Sequence, residues 1–190
     1  MGSDSQPPRS RMVDSAAVLV RERGVHGVGL REIVAHSGGP RGSLQRYFPG
    51  GKTQLLGEAL DLVAADIAAQ SKLLDARTLT EAVDAVIAPW RKSLLDSDFT
   101  LGCPIAATIV DASGNDQLRE KARTLLSQWH ESVRDTLVRF GSSKSVADEQ
   151  ASVLLAALEG ALILARAQRS TQPLDAVQRF FTAALTQAAK

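Results

Sequence analysis

Cysteine, aromatic residues, histidine and net charge are all in short supply in this chain. Cys103 is the only cysteine, so an intrachain disulfide is excluded and nothing points to an oxidising compartment. Aromatics make up 4% of the residues, which forces the core to be aliphatic. With Ala and Leu abundant and 44% of the chain hydrophobic, helix-on-helix packing is the expected class. The three histidines, His26, His36 and His130, stand far apart, without carboxylate runs beside them and without a neighbouring cysteine. Neither a metal-ligand spacing nor a nucleophile triad can be drawn, so the expectation is no catalytic residue, no metal and no cofactor. Period-two alternation and internal repeats are missing, which removes strands and solenoids. The longest apolar run, Val153 to Ala165, is broken by Glu159 and Gly160 and is too short to span a bilayer. "MGSDSQPPRSR" has no apolar signal core and carries Gln6 where a myristoylation signal needs Ser or Thr. A soluble, cytoplasmic protein with no membrane partner is expected, with residues 1–9 a disordered lead.

The net charge of +1 hides an asymmetry. Residues 1–52 hold eight Lys and Arg against four Asp and Glu, and the remainder holds fourteen against seventeen. A basic front and a mildly acidic rear point to an anionic partner for the front alone.

Apolar spacing predicts a first helix over Ser10–Arg23, stopped by Gly24, and a short second one from Leu30 to about Ser37 that buries Leu30, Ile33 and Val34 before Gly38 turns the chain. Pro40 suits the first turn of a third short helix, through Tyr47, before Pro49, Gly50 and Gly51 break the chain. A bridging helix follows over Lys52–Ala69. Thr80 is the expected cap of the next helix, which Pro89 should kink. Cys103 and Pro104 open a short helix ending near Gly114; a long one runs from Leu118 to Phe140, and two more close the chain.

Two short helices joined at "HSGGP" form a helix-turn-helix, and "GGPRGSLQRYFPGGK", Gly38 to Lys52, is poor in core residues because its outer face is meant for a DNA groove. Arg41 can grip guanine and Gln45 can pair with adenine. Gly42, Ser43, Arg46 and Tyr47 complete the contact surface, and Lys52 at the start of the bridging helix adds charge to free N–H groups as a phosphate clamp.

"GLREIVAHSGGPRGSLQRYFPGGKTQLLGEAL" resembles the DNA-binding domain of TetR/AcrR-type transcriptional regulators. The "PRGSL" and "FPGGK" segments, with "GCP" at Gly102–Pro104 and "EGAL" at Glu159–Leu162, look like the LmrA/YxaF-like branch. The resemblance implies an all-α homodimer that represses transcription, with a helix-turn-helix domain over 10–51 and a ligand-binding and dimerisation domain over 52–190. Three positions depart from the family's usual pattern: Gln45 stands where a Tyr touches phosphate, Gly39 where Val is usual, and Gly29 where Thr often caps the second helix.

Trp90, Leu94, Phe99, Ile105, Ile109, Leu126, Trp129, Val133 and Leu158 can line one apolar cavity, with His130 and Glu159 as its polar groups. The helix containing "VLLAALEGALILA" is apolar on two faces; Ala157, Gly160 and Leu164 on one of them, with Phe180 and Phe181 from the last helix, are the expected dimer interface. Asp111 and Asp116 flank the turn at Gly114 and read as solvated helix ends, and Cys103 reads as a buried or capping residue. The function expected is a repressor that binds a double-stranded, pseudo-palindromic operator as a homodimer and is released by a small hydrophobic effector. The alternative is a helical ligand carrier or interaction module without sequence-specific DNA binding.

Overall fold

The computed structural model describes residues 6–40, 42–70 and 73–188, and within them the chain forms nine helices and no strand. They fall into two compact units, the first running to Asp66 and taking in Cys103–Leu125, the second comprising Ile67–Gly102 and the chain from Leu126 onward. The first unit thus contains the helix-turn-helix expected over 10–51 but continues along the bridging helix, whose Leu55, Leu56, Ala59, Leu60 and Val63 are buried.

In the first unit, α1 (Pro8–Arg23) buries Met12, Ala16, Leu19 and Val20, the stripe that its spacing predicts. Gly24, at φ 76°, ends it. Helix α2 (Leu30–His36) buries Ile33 and Val34, and Gly38 turns the chain at φ 61°. Helix α3 is shorter than expected, covering only Leu44–Tyr47. Pro40 does not open it, because Gly42 sits at φ 95°, which a right-handed helix cannot contain. Ser43 takes the N-cap position instead, its hydroxyl donating to the Pro40 carbonyl at 2.8 Å. The first part of α4 (Gly51–Gln70), then α6 (Pro104–Asp111) and the start of α7 (Asp116–Arg139), complete the unit. Cys103 caps α6 as expected, its Sγ accepting the Ala106 N–H at 3.5 Å.

In the second unit, α5 (Leu79–Asp96), the rest of α7, α8 (Lys144–Gln168) and α9 (Gln172–Ala188) pack on one another, with α9 against both α8 and α5. Helix α5 is capped by Thr78 rather than Thr80. Thr78 Oγ1 accepts the Glu81 N–H at 3.1 Å while the Glu81 carboxylate reaches back to the Arg77 N–H at 2.7 Å, a reciprocal arrangement that Thr80 has no partner to make. Pro89 lies buried inside α5, which is a single helix to Asp96. Arg91 of α5 bonds Asp175 of α9 at 3.0 Å, and Gln178 of α9 returns a bond to Asp84 at 2.9 Å. Arg139, at the end of α7, donates to the carbonyls of Leu73, Leu74 and Ala76 at 2.6–3.1 Å and so fastens the turn before α5.

Helix α8, with 25 residues, is long and apolar enough to cross a membrane by length and composition. One face, Ala147, Ala151, Leu154, Leu158, Ala161 and Ala165, is nevertheless fully inside the unit, the pattern of a core helix.

Candidate nucleic-acid interface and effector residues

No residue of α3 is buried; the helix is held by the side chain that follows it, Phe48, which is 0% exposed and has the Arg9 guanidinium 4.9 Å from its ring centre. Gln45 and Arg46 are exposed, Ser43 and Tyr47 half-buried, and Gly42 exposed. Arg46 lies 5.7 Å from the Tyr47 ring, which orders a long cationic side chain on an otherwise free surface. Arg41 lies outside the described residues. Between α2 and α3 runs an open groove of about 830 Å³, lined by Leu30, Arg31, Val34, Ala35, Gly38, Gly39, Gly42 and Leu44.

The turn that sets the angle of α3 is fastened from α1. Arg11 Nε donates to the Ser37 carbonyl at 3.0 Å, satisfying a helix-end acceptor of α2. Gly39 follows from its neighbour: a Cβ there would lie 2.4 Å from Met12 Cε, and Met12 is wholly buried. The methionine fills the space that a branched side chain would take. No spacing pattern along the chain pairs Gly39 with Met12; only the packing of α1 against the turn does.

Lys52 is half-buried and donates to the Val25 carbonyl at 2.7 Å, leaving two of its three N–H donors for another partner. Asp111, expected only to be solvated, is instead bound to the loop between α1 and α2. It accepts the His26 N–H at 2.6 Å, and its other oxygen meets His26 Nδ1 at 2.9 Å. These donors, the His26 amide foremost, hold its carboxyl below the usual carboxylate range. The solvated-end reading is therefore replaced, because 85 residues separate the pair and no local spacing relates them.

Of the residues expected to line a cavity, nine belong to the second unit: Trp90, Leu94, Phe99, Leu126, Trp129, His130, Val133, Leu158 and Glu159; Ile105 and Ile109 belong to the first. Trp90, Leu94, Val133 and Leu158 are buried, and the Trp90 and Trp129 rings lie 5.6 Å apart, tilted by 37°. The Trp90 indole N–H is buried without a hydrogen-bond partner. His130 is already engaged, its Nε2 2.9 Å from Ser152 Oγ, linking α7 to α8.

Of the expected interface residues, Leu164 is 52% exposed and Phe180 66%, with Ile163 beside them at 70%. Gly160 is exposed and Ala157 half-buried. Phe181 differs: it is 6% exposed, packed inside its own unit with the Phe180 ring edge-on at 5.4 Å. Adjacent residues on a helix point about 100° apart, and here that angle turns Phe181 into the unit while Phe180 stays outside. Among the described residues, no three His, Cys, Asp or Glu side chains converge as a metal would require.

Comparison with known proteins agrees with this geometry. Residues 12–59 match the N-terminal domain of bacterial regulatory proteins of the tetR family, and residues 80–180 match the C-terminal domain of LmrA/YxaF-like transcriptional regulators. An HTH-type transcriptional regulator from Mycobacterium tuberculosis is 42% identical over 92% of both chains, and LmrA from Bacillus subtilis is 28% identical over 87% of this chain and 90% of its own. A TetR regulator from Legionella pneumophila superposes with a TM-score of 0.86 over 94% of this chain and 97% of its own at 18% identity, which speaks for the fold. The chain belongs to the TetR family of transcriptional regulators, in its LmrA/YxaF-like branch. It is a DNA-binding regulator and not an enzyme.

Proposed function

We propose that this regulator is a cytoplasmic repressor that binds a pseudo-palindromic operator as a homodimer and releases it when a small apolar effector binds. The observation that carries the DNA reading is α3, a helix with no buried side chain that presents Gln45 and Arg46 beside an exposed Gly42. Anchored by Phe48 alone among buried side chains, such a helix leaves its own side chains free, and they suit base edges and phosphates of a major groove. Arg41 is proposed to read guanine and Gln45 adenine, with Ser43, Arg46, Tyr47 and the remaining donors of Lys52 toward phosphates. A twofold pair of such helices about 34 Å apart fits two half-sites one turn apart.

The homodimer reading rests on Ile163, Leu164 and Phe180, an exposed apolar set on the last two helices that a second copy would cover. The effector reading rests on Trp90. Burying an indole N–H without an acceptor costs about 1–3 kcal/mol, and an apolar molecule carrying a carbonyl or ether oxygen would supply one. An effector that prefers the released conformation by about 1.4 kcal/mol lowers operator affinity tenfold.

The test is fluorescence anisotropy with a duplex that the protein selects from a random pool and with a scrambled duplex, each at two salt concentrations. A preference that survives the higher salt supports sequence-specific regulation; equal, salt-sensitive binding to both refutes it.

A further inference from the structure

We infer that Asp111 is a positioning residue for operator binding: from the end of α6 it fixes the loop between α1 and α2, and through that loop the orientation of α2 and α3. The inference rests on the reading of α2 and α3 as the DNA-contacting helices. It begins with one peptide group. The carbonyl of Val25 and the N–H of His26 belong to the same peptide unit; the carbonyl end accepts from Lys52 Nζ at 2.7 Å and the N–H end donates to Asp111 at 2.6 Å. The peptide dipole is thus held between a cation from the first turn of α4 and an anion from the last residue of α6, each through a charge-assisted bond.

The surroundings fit this clamp. Gly24 lies where a Cβ would come within 2.7 Å of Asp111 Oδ2, so the carboxylate reaches the loop at a residue without a side chain. The His26 ring adds a second bond to the other oxygen at 2.9 Å. A parallel tie, Asn115 Nδ2 to Thr53 Oγ1 at 2.9 Å, joins the turn after α6 to the same first turn of α4. Val25 and Val28 are buried and fix where the loop lies, whereas Gly24, Gly27 and Gly29 leave its orientation free to be set by these charged contacts. Leu30 of α2 follows directly, so a change at the Val25–His26 peptide is passed on within a few residues.

Charge and position predict opposite signs when Asp111 is removed, and this separates them. Losing an anion beside a DNA-binding surface by itself tightens binding to a polyanion. Losing a clamp loosens it. Operator affinity would be measured by anisotropy for the wild type, Asp111→Ala, Asp111→Asn and Asp116→Ala, the last removing a charge from an exposed carboxylate that pairs with Arg119 of its own helix. Thermal melts would be run on all four. Asp111→Ala is expected to weaken the selected duplex by about tenfold, the scale of one lost charge-assisted bond, with an unchanged salt slope. Asp111→Asn, which keeps an oxygen for the His26 amide, should recover part of the loss, and Asp116→Ala should bind as well as the wild type or slightly better. A folded Asp111→Ala that binds as tightly as Asp116→Ala overturns the inference. If Asp111→Ala does not fold, Asp111→Asn decides: wild-type affinity or tighter overturns the inference, weaker binding upholds it. Should the wild type prefer no duplex, the DNA reading itself has failed, and amide exchange then judges the clamp alone. In that case faster exchange at His26 in Asp111→Asn than in the wild type upholds the clamp, and equal exchange removes it.

Discussion

Two surfaces of this molecule are built on opposite plans. Around α3 the chain exposes Gln45, Arg46 and glycine backbone, with Phe48 as the buried anchor. On α8 and α9 it exposes Ile163, Leu164 and Phe180, while the opposite face of α8 is an unbroken buried stripe of alanine and leucine. A polar helix with so little internal packing and an apolar face without a cover are both costly in an isolated chain. Under the proposed function each would be covered by a partner of matching chemistry, a polyanion for the first and a second copy for the second.

The sharpest way to break the comparison is to give the apolar surface a charge. Leu164→Glu with Phe180→Glu should convert dimer to monomer by light scattering and lower operator affinity about 100-fold or more, since two linked half-site contacts become one. On the polar surface, Gln45→Ala and Arg41→Ala should each cost about 1–3 kcal/mol at a single base pair and relax specificity there, as competition with point-substituted duplexes would report. Two further changes touch neither surface and so sharpen the contrast by affecting stability alone. Arg139→Ala, which removes donors from three carbonyls before α5, should lower unfolding free energy by about 1–2 kcal/mol in urea melts. Thr78→Ala, which removes the α5 cap, should cost about 1 kcal/mol. The smallest effect is pH-dependent. Because the Asp111 carboxyl is held below the usual range, its stabilising contribution is complete at neutral pH and is lost as pH falls through its folded value. The gap in melting temperature between wild type and Asp111→Asn should therefore be present at pH 7 and close in acid.

Much of this was legible before any coordinates. Helical spacing locates α1, α4 and the long helices because their apolar stripes repeat over several turns, and the short α2 because Gly24 and Gly38 bracket its apolar residues. The glycine-rich segment announced the helix-turn-helix because Gly38 and Gly42 stand at positive φ, a conformation few other residues accept. Gly42 also accounts for the short α3: Pro40 has the chemistry of a helix start, and Gly42, two residues on, forbids one. For α5 the apolar spacing points to Thr80, whereas the Thr-x-x-Glu pattern that Glu81 completes marks Thr78. Phe181 could not be separated from Phe180 without knowing which face α9 buries. Asp111 was out of reach altogether, because its partner is distant in sequence and a lone aspartate at a helix end carries no periodic or spacing signal.

The most direct test of the two-surface account is the mass of the complex. Sedimentation velocity of the protein with a labelled duplex carrying one or two copies of a selected half-site, spaced one helical turn apart, should show a free dimer, two protomers on the two-site duplex, and weak binding to the single site. A single protomer that saturates both duplexes with equal affinity would contradict the account.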